Sequence, residues 1–138
     1  MTAAHQDAAV IDAAAATLAA LSGLSRSLRH VALVTDDGFE VVRRPDTAPS
    51  DGRLASMASS IQALTDAVAY ELQLGTAKSV IIASDSGHII QLRVPGRELV
   101  LVALFDENET VGMALSMLRV AAERLAAALD TTTVQAVA

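Results

Sequence analysis

The sequence predicts an α+β fold in the order α-β-β-α-β-β-β-α, with one five-stranded antiparallel sheet and the helices packed on it. Three observations lead there. Three segments repeat apolar residues at steps of three and four, the helical period. Five short runs rich in Val, Ile and Leu fall into a group of two and a group of three. Within each group the runs are joined by turns short enough for hairpins, so each in-group pairing is antiparallel. The chain has 138 residues, 52% hydrophobic and 19% charged, which suits one domain with its own core and not a disordered tail. A single domain over 1–138 is expected, its core at about 18–129, with a helical N-terminal extension and a frayed C-terminal tail.

The first helix is expected from Gln6 to Leu21. The stretch is rich in Ala, the best helix former, and Ile11, Ala14, Leu18 and Leu21 make one apolar stripe. Ser22-Gly23 then offers a stop. His30–Thr35 and Phe39–Arg43 read as two strands around the turn Asp36-Asp37-Gly38. The polar, Pro-containing stretch from Arg44 to Gly52 reads as a loop where the chain crosses over.

The second helix, Gly52–Leu74, carries Leu54, Met57, Ile61, Leu64, Val68 and Leu72 as its expected core stripe, with Gly75 as its C-cap. Strands follow at Lys78–Ser84, His88–Val94 and Glu98–Phe105. In the middle one, Ile90, Leu92 and Val94 take one face, and Gln91 and Arg93 the other. The last is apolar almost throughout, as a strand covered on both faces should be. The third helix, Thr110–Leu129, keeps Val111, Leu115, Leu118, Ala122, Leu125 and Leu129 on one stripe, with Asp106, Asn108 and Glu109 supplying capping and dipole chemistry. Thr131–Ala138 has no clear pattern and is expected to fray.

The inventory of reactive groups excludes most chemistry. There is no Cys, so disulfides, thiolate metal sites and Cys nucleophiles are out. His5, His30 and His88 have no second ligand at metal-binding spacing, and His30 and His88 are expected on strand surfaces. No G-x-S-x-G elbow surrounds a serine. Asp36, Asp37 and Asp85 sit beside Gly in hairpins, where short polar side chains satisfy local backbone. Gly75-Thr76-Ala77-Lys78-Ser79 lacks the Gly before Lys that a phosphate loop needs, and it leads from helix into strand. No catalytic, cofactor-binding or metal-ligating residue is therefore expected, and no nucleotide binding. The formal net charge of −6 and the 2% aromatic content argue against nucleic acid. Arg26, Arg29, Arg43, Arg44, Arg53 and Arg97 read as solvated surface charges. Met1–Val10 is not a signal peptide, and no apolar run approaches membrane-spanning length. A cytoplasmic protein without membrane insertion is the expectation.

What remains is surface for association. Ser56, Ser60, Ala63 and Ala67 form a second stripe on the long helix, about 100° round from the first, and Tyr70 and Leu74 extend it. Small side chains let another helix approach closely. Val80, Ile81, Ile82 and Ala83 form an apolar run on an expected edge strand, a hazard unless a partner strand covers it. These residues are the candidate dimer interface.

Several stretches together resemble the Roadblock/dynein light chain family. They are Val31–Val42, the helix opening Arg53-Leu54-Ala55-Ser56-Met57-Ala58-Ser59 and closing at Leu74-Gly75, Val80–Asp85, Leu99–Phe105, and Glu109-Thr110-Val111-Gly112-Met113-Ala114. The resemblance covers roughly Leu18 to Leu129. It implies a non-enzymatic homodimer or heterodimer in which the long second helix and the third strand meet their counterparts, forming one sheet across two subunits. It also implies, for the bacterial branch that the Ala-rich composition favours, a small Ras-like GTPase as partner. Two other readings compete. One is a structural adaptor without effect on a nucleotide cycle. The other is a profilin-like or PAS-like small-molecule sensor, which the scarcity of aromatics disfavours.

Overall fold

The computed structural model describes residues 3–45 and 52–137, with side chains described to residue 131. A 3₁₀ turn at Ala4–Gln6 precedes α1 (Ala8–Ser22), β1 (Leu28–Thr35) and β2 (Glu40–Arg44). Then come α2 (Arg53–Glu71), β3 (Val80–Ser84), β4 (Gly87–Arg93), β5 (Leu99–Asp106) and α3 (Val111–Val137). The expected element order holds. Most of the expected loop between Arg44 and Gly52 lies outside the described residues.

The strands form one antiparallel sheet in the order β2-β1-β5-β4-β3, so β5 is central and β2 and β3 are the edges. Period-two alternation then splits the apolar residues between two faces. Val31, Leu33, Ile90, Leu92, Leu101, Ala103 and Phe105 face α1 and α3, which fill that side with Ala14, Leu18, Leu21, Leu118, Ala122, Leu125 and Leu129. The opposite face presents Ala32, Val34, Val100 and Val102 to Ala55 and Ala58 of α2. The fold is thus three layers, with the larger core under α1 and α3. Gly87 opens β4 where a Cβ would collide with the Phe105 carbonyl oxygen.

The helix ends differ from the expected ones. α1 starts behind Asp7, whose Oδ1 accepts the Ala9 N–H at 3.0 Å. Thr110 caps α3 by accepting the Met113 N–H at 3.2 Å, the role expected of its acidic neighbours. α3 also continues to Val137, so the stretch expected to fray is helical backbone.

α2 stops at Glu71, before the expected Gly75. The Gln73 N–H reaches the Tyr70 carbonyl at 3.1 Å and the Leu74 N–H reaches that of Ala69 at 2.9 Å, the two bonds of a Schellman motif. Gln73, not Gly75, holds the left-handed position of that motif, with φ of 56°. A side chain there costs about 1–2 kcal/mol, partly offset by the entropy a glycine loses on folding. Gln73→Gly should therefore raise stability by about 0.5–1 kcal/mol, read as a higher urea midpoint at unchanged slope.

Candidate interaction surface

α2 lies on the sheet the other way round from the sequence expectation. Its buried residues are Ala55, Ala58, Gln62 and Ala69. Most of the expected core stripe points outward: Met57 is 55% exposed, Leu64 67%, Val68 46% and Leu72 64%, while Leu54 and Ile61 are half-buried. The cause is the floor beneath the helix. Ala32, Val34, Val100 and Val102 form a shallow surface, and a helix that offers Ala can approach it closely; large side chains on that face would hold it off.

Polar groups complete the seat. Gln91 of β4 is buried, and its Nε2 donates to the Ala58 carbonyl at 2.9 Å and to Gln62 Oε1 at 3.2 Å. Gln62 Nε2 donates to Asp66 Oδ1 at 3.0 Å. Arg93 Nη2 then bridges Asp66 Oδ2 at 3.2 Å and Asp36 Oδ2 at 3.0 Å. Burial opposes the Arg93 charge, but the two carboxylates outweigh it and hold its pKa above the ordinary arginine value. Asp36, expected only as a turn residue, is thus an anchor for the sheet beneath α2. Arg29, Arg43 and Arg97 are likewise paired, with Asp106, Glu40 and Asp130.

β3 supplies the second half of the surface. It pairs only with β4, so its outer row of backbone groups faces away from the sheet. Its sequence Val-Ile-Ile-Ala-Ser carries no charge, and Ile81, Ile82 and Ala83 are exposed while Val80 is half-buried. Leu64 and Val68, with Leu74 and Ala77, line an apolar hollow of about 340 Å³ where α2 hands the chain to β3. The other edge is different. β2 reads Glu-Val-Val-Arg-Arg, with an ion pair between Glu40 and Arg43, and Pro45 follows. Charge and Pro are the usual guards of an edge strand.

The remaining candidate residues are also placed. Ser56, Ser60, Ala63, Ala67 and Tyr70 are all exposed. They run along the flank of α2 beside the large apolar stripe. On that side Ser56 and Ser59 lie against the β1–β2 turn at Gly38. The large stripe, which no reading of the sequence placed outside, is the residue set that sequence reasoning missed. Its signal was present: Gln62 lies among the Ala residues of the buried face of α2, and Gln91 stands between Ile90 and Leu92 on β4 to meet it.

His30 and His88 are half-buried rather than at the surface. Among the described residues, no group of three His, Cys, Asp or Glu could hold a metal ion, and no helix is long and apolar enough to cross a membrane. Clefts of about 530 and 540 Å³ flank the α2–β3 connection. They are lined by Asp66, Gln73, Arg93 and Tyr70, and by Lys78, Arg93, Pro95 and Arg119.

Asp106 ties the end of β5 to β1 and to the turn that leads into α3. Its Oδ1 accepts the Asn108 N–H at 2.9 Å and its Oδ2 pairs with Arg29 at 2.7 Å. The Asn108 bond first, then Ser27 and Arg29, hold its carboxyl below the ordinary value of 3.8. A carboxylate depressed on folding stabilises above its unfolded pKa and loses that contribution as pH falls through the folded one. Asp106→Asn should therefore melt below wild type near neutral pH. The gap should close as pH falls from roughly 5 to roughly 2, measured by thermal melts across that range.

An antiparallel five-stranded sheet, two helices on one face, one on the other, and a bare apolar edge together define a Roadblock-type fold. Among solved structures, the chain is similar to Myxococcus xanthus MglB (TM-score 0.78, 18% identity, covering 88% of this chain and 90% of that one). It is also similar to the gliding protein MglB from Thermus thermophilus (0.76, 21%, 91% and 93%). A Roadblock/LC7 domain from Streptomyces avermitilis follows (0.65, 14%, 87% and 94%). No protein-family model and no curated protein matches the chain.

Proposed function

We propose that this chain is a non-enzymatic interaction module of the cytoplasm that pairs with a second copy through α2 and β3 and, as a dimer, binds and regulates a small Ras-like GTPase. The observation that carries the pairing is the outward apolar stripe of α2 next to an uncharged, unpaired edge strand. Monomers seldom leave such a patch open, and a strand edge is satisfied most completely by another strand. Two copies joined edge to edge would continue one sheet across the pair, with Ser60, Ala63 and Ala67 giving the two α2 helices room to approach. The GTPase half rests on the sequence resemblance and on the likeness in fold to MglB, an argument from fold and not from a site.

Regulation requires a difference in affinity between two states of the partner. The test is titration of a small Ras-like GTPase from the source cell, loaded first with GDP and then with a non-hydrolysable GTP analogue. State-dependent binding supports the reading. Equal affinity reduces it to tethering, and no binding to any such GTPase replaces it with the adaptor reading.

A further inference from the structure

The α2–β3 connection, the turn after β4 and one side of α3 enclose a cleft of about 540 Å³ that the proposed pairing does not use. Leu92, Val94 and Ala122, all buried, and Pro95 make up its apolar part. Its rim is cationic. Lys78, the only lysine of the chain, stands just before β3, and Arg119 faces it from α3. Both are exposed, and among the described residues neither has an ion pair or a hydrogen bond. Arg29, Arg43 and Arg97, by contrast, each hold a carboxylate. Arg93 also lines the cleft, but its Nη2 is taken by Asp36 and Asp66. Glu123, one turn along α3 from Arg119, is the one acid among the described residues of the lining. The free charge of the cleft is therefore positive, in a chain whose formal net charge is −6.

The wall beside Lys78 is backbone with donors to spare. Thr76, Ala77 and Lys78 line the cleft, and among the described residues none of them donates its N–H to another group of the protein. Free backbone N–H groups beside a hydroxyl and two cations form a donor set suited to an oxyanion. This is the stretch whose sequence departs from a phosphate loop. It leads from helix into strand, so an anion here would meet connecting backbone and side chains and not a helix N-terminus. The rest of the lining says what accompanies the charged head. The volume is that of a small organic molecule and exceeds what a bare ion fills. No aromatic ring lines this cleft among the described residues, so nothing there stacks a nucleobase, and the apolar part is aliphatic.

We infer that this cleft binds a small organic anion, its carboxylate or phosphate head taken by Lys78, Arg119 and the backbone N–H groups beside them, its aliphatic body laid on Leu92, Val94 and Pro95. The site is complete within one chain, so it stands apart from the proposed pairing and from any GTPase. The test is an NMR titration of the full isotope-labelled chain with hexanoate, hexyl phosphate, inorganic phosphate and, as the uncharged match, hexanol. At least one of the two six-carbon anions should bind with a Kd of about 1 mM or below. It should shift the amide signals of Thr76, Ala77, Lys78 and Arg119 and raise the melting temperature. The head that binds more tightly identifies the ligand class as carboxylate or phosphate ester. Inorganic phosphate, which lacks the body, should bind about tenfold more weakly than hexyl phosphate. Lys78→Met and Arg119→Gln should each weaken binding of the tighter anion about tenfold. Glu123→Gln removes the opposing charge and should strengthen it about threefold. Arg124→Gln is the control. It removes another cation of α3, one that lies outside this cleft, and should leave the affinity unchanged although the net charge falls equally. The inference is overturned if neither six-carbon anion binds up to about 10 mM, or if hexanol or inorganic phosphate binds as tightly as the better of them. It is overturned equally if Arg124→Gln weakens binding as much as Arg119→Gln does, since the attraction would then belong to the whole surface.

Discussion

Val68→Asp combined with Ile82→Asp should remove the proposed association through α2 and β3 while leaving the chain folded. Both residues are exposed in the single chain, so neither substitution opens a cavity or buries a charge in the monomer. In the proposed pair, each Asp would be desolvated against an apolar partner surface, where an unpaired carboxylate is costly. A loss of about 3 kcal/mol or more is expected, over a hundredfold in Kd. Light scattering after size exclusion reads the mass, and circular dichroism reads the fold. Ala63→Arg tests the flank separately, because a long cation there obstructs helix approach without touching the edge strand. Unchanged mass in both variants would move the interface off this face.

Phe105→Ala should be the most damaging single truncation in the larger core. Phe105 is the largest fully buried side chain and sits on the face shared by α1 and α3. The cluster it belongs to is built mainly of Ala, Val and Leu with Ile90, in a chain with no Trp and only two Phe, so no second aromatic side chain stands ready to fill the space. A loss of about 3–5 kcal/mol follows, or a fall in Tm of roughly 10–20 °C for a domain of this size. Phe39→Ala is the contrast. Phe39 is exposed and stacks on His5 at 4.4 Å, so its loss should cost well under half as much. Equal effects from the two would contradict the assignment of the core to the α1–α3 side.

The sheet was legible in the sequence because strand alternation is a strong local signal. Ile90, Leu92 and Val94 facing one way, with Gln91 and Arg93 facing the other, is the arrangement the structure has. The stripes of α1 and α3 were legible for a similar reason: Leu18, Leu21, Leu118, Leu125 and Leu129 are large, and they are buried. α2 was misread because two stripes of similar period compete on it, and a hydrophobicity rule gives the core to the larger residues. What decided the matter was the shape of the surface beneath, set by Ala32, Val34, Val100 and Val102 from distant strands. The Arg93–Asp36–Asp66 bridge was hidden for the same reason. Its members are far apart in sequence and meet only once β1, β4 and α2 are assembled. The end of α2 was misplaced because Gly is the default left-handed residue, and nothing local marks Gln73 as the one that takes that conformation.

The unequal edges of the sheet bear on how far assembly can go. Were β2 as bare as β3, every strand pairing would leave a fresh sticky edge, and copies would add without limit into a cross-β ribbon. With Glu40, Arg43 and Arg44 on β2 and Pro45 just after it, joining two copies at β3 would consume both sticky edges and leave only repellent ones outside. In the proposed pair, growth in the direction of the hydrogen bonds would terminate after a single step, so the particle would have a fixed size written into the charge of one five-residue strand. Neutralising that strand would convert a counted assembly into an uncounted one.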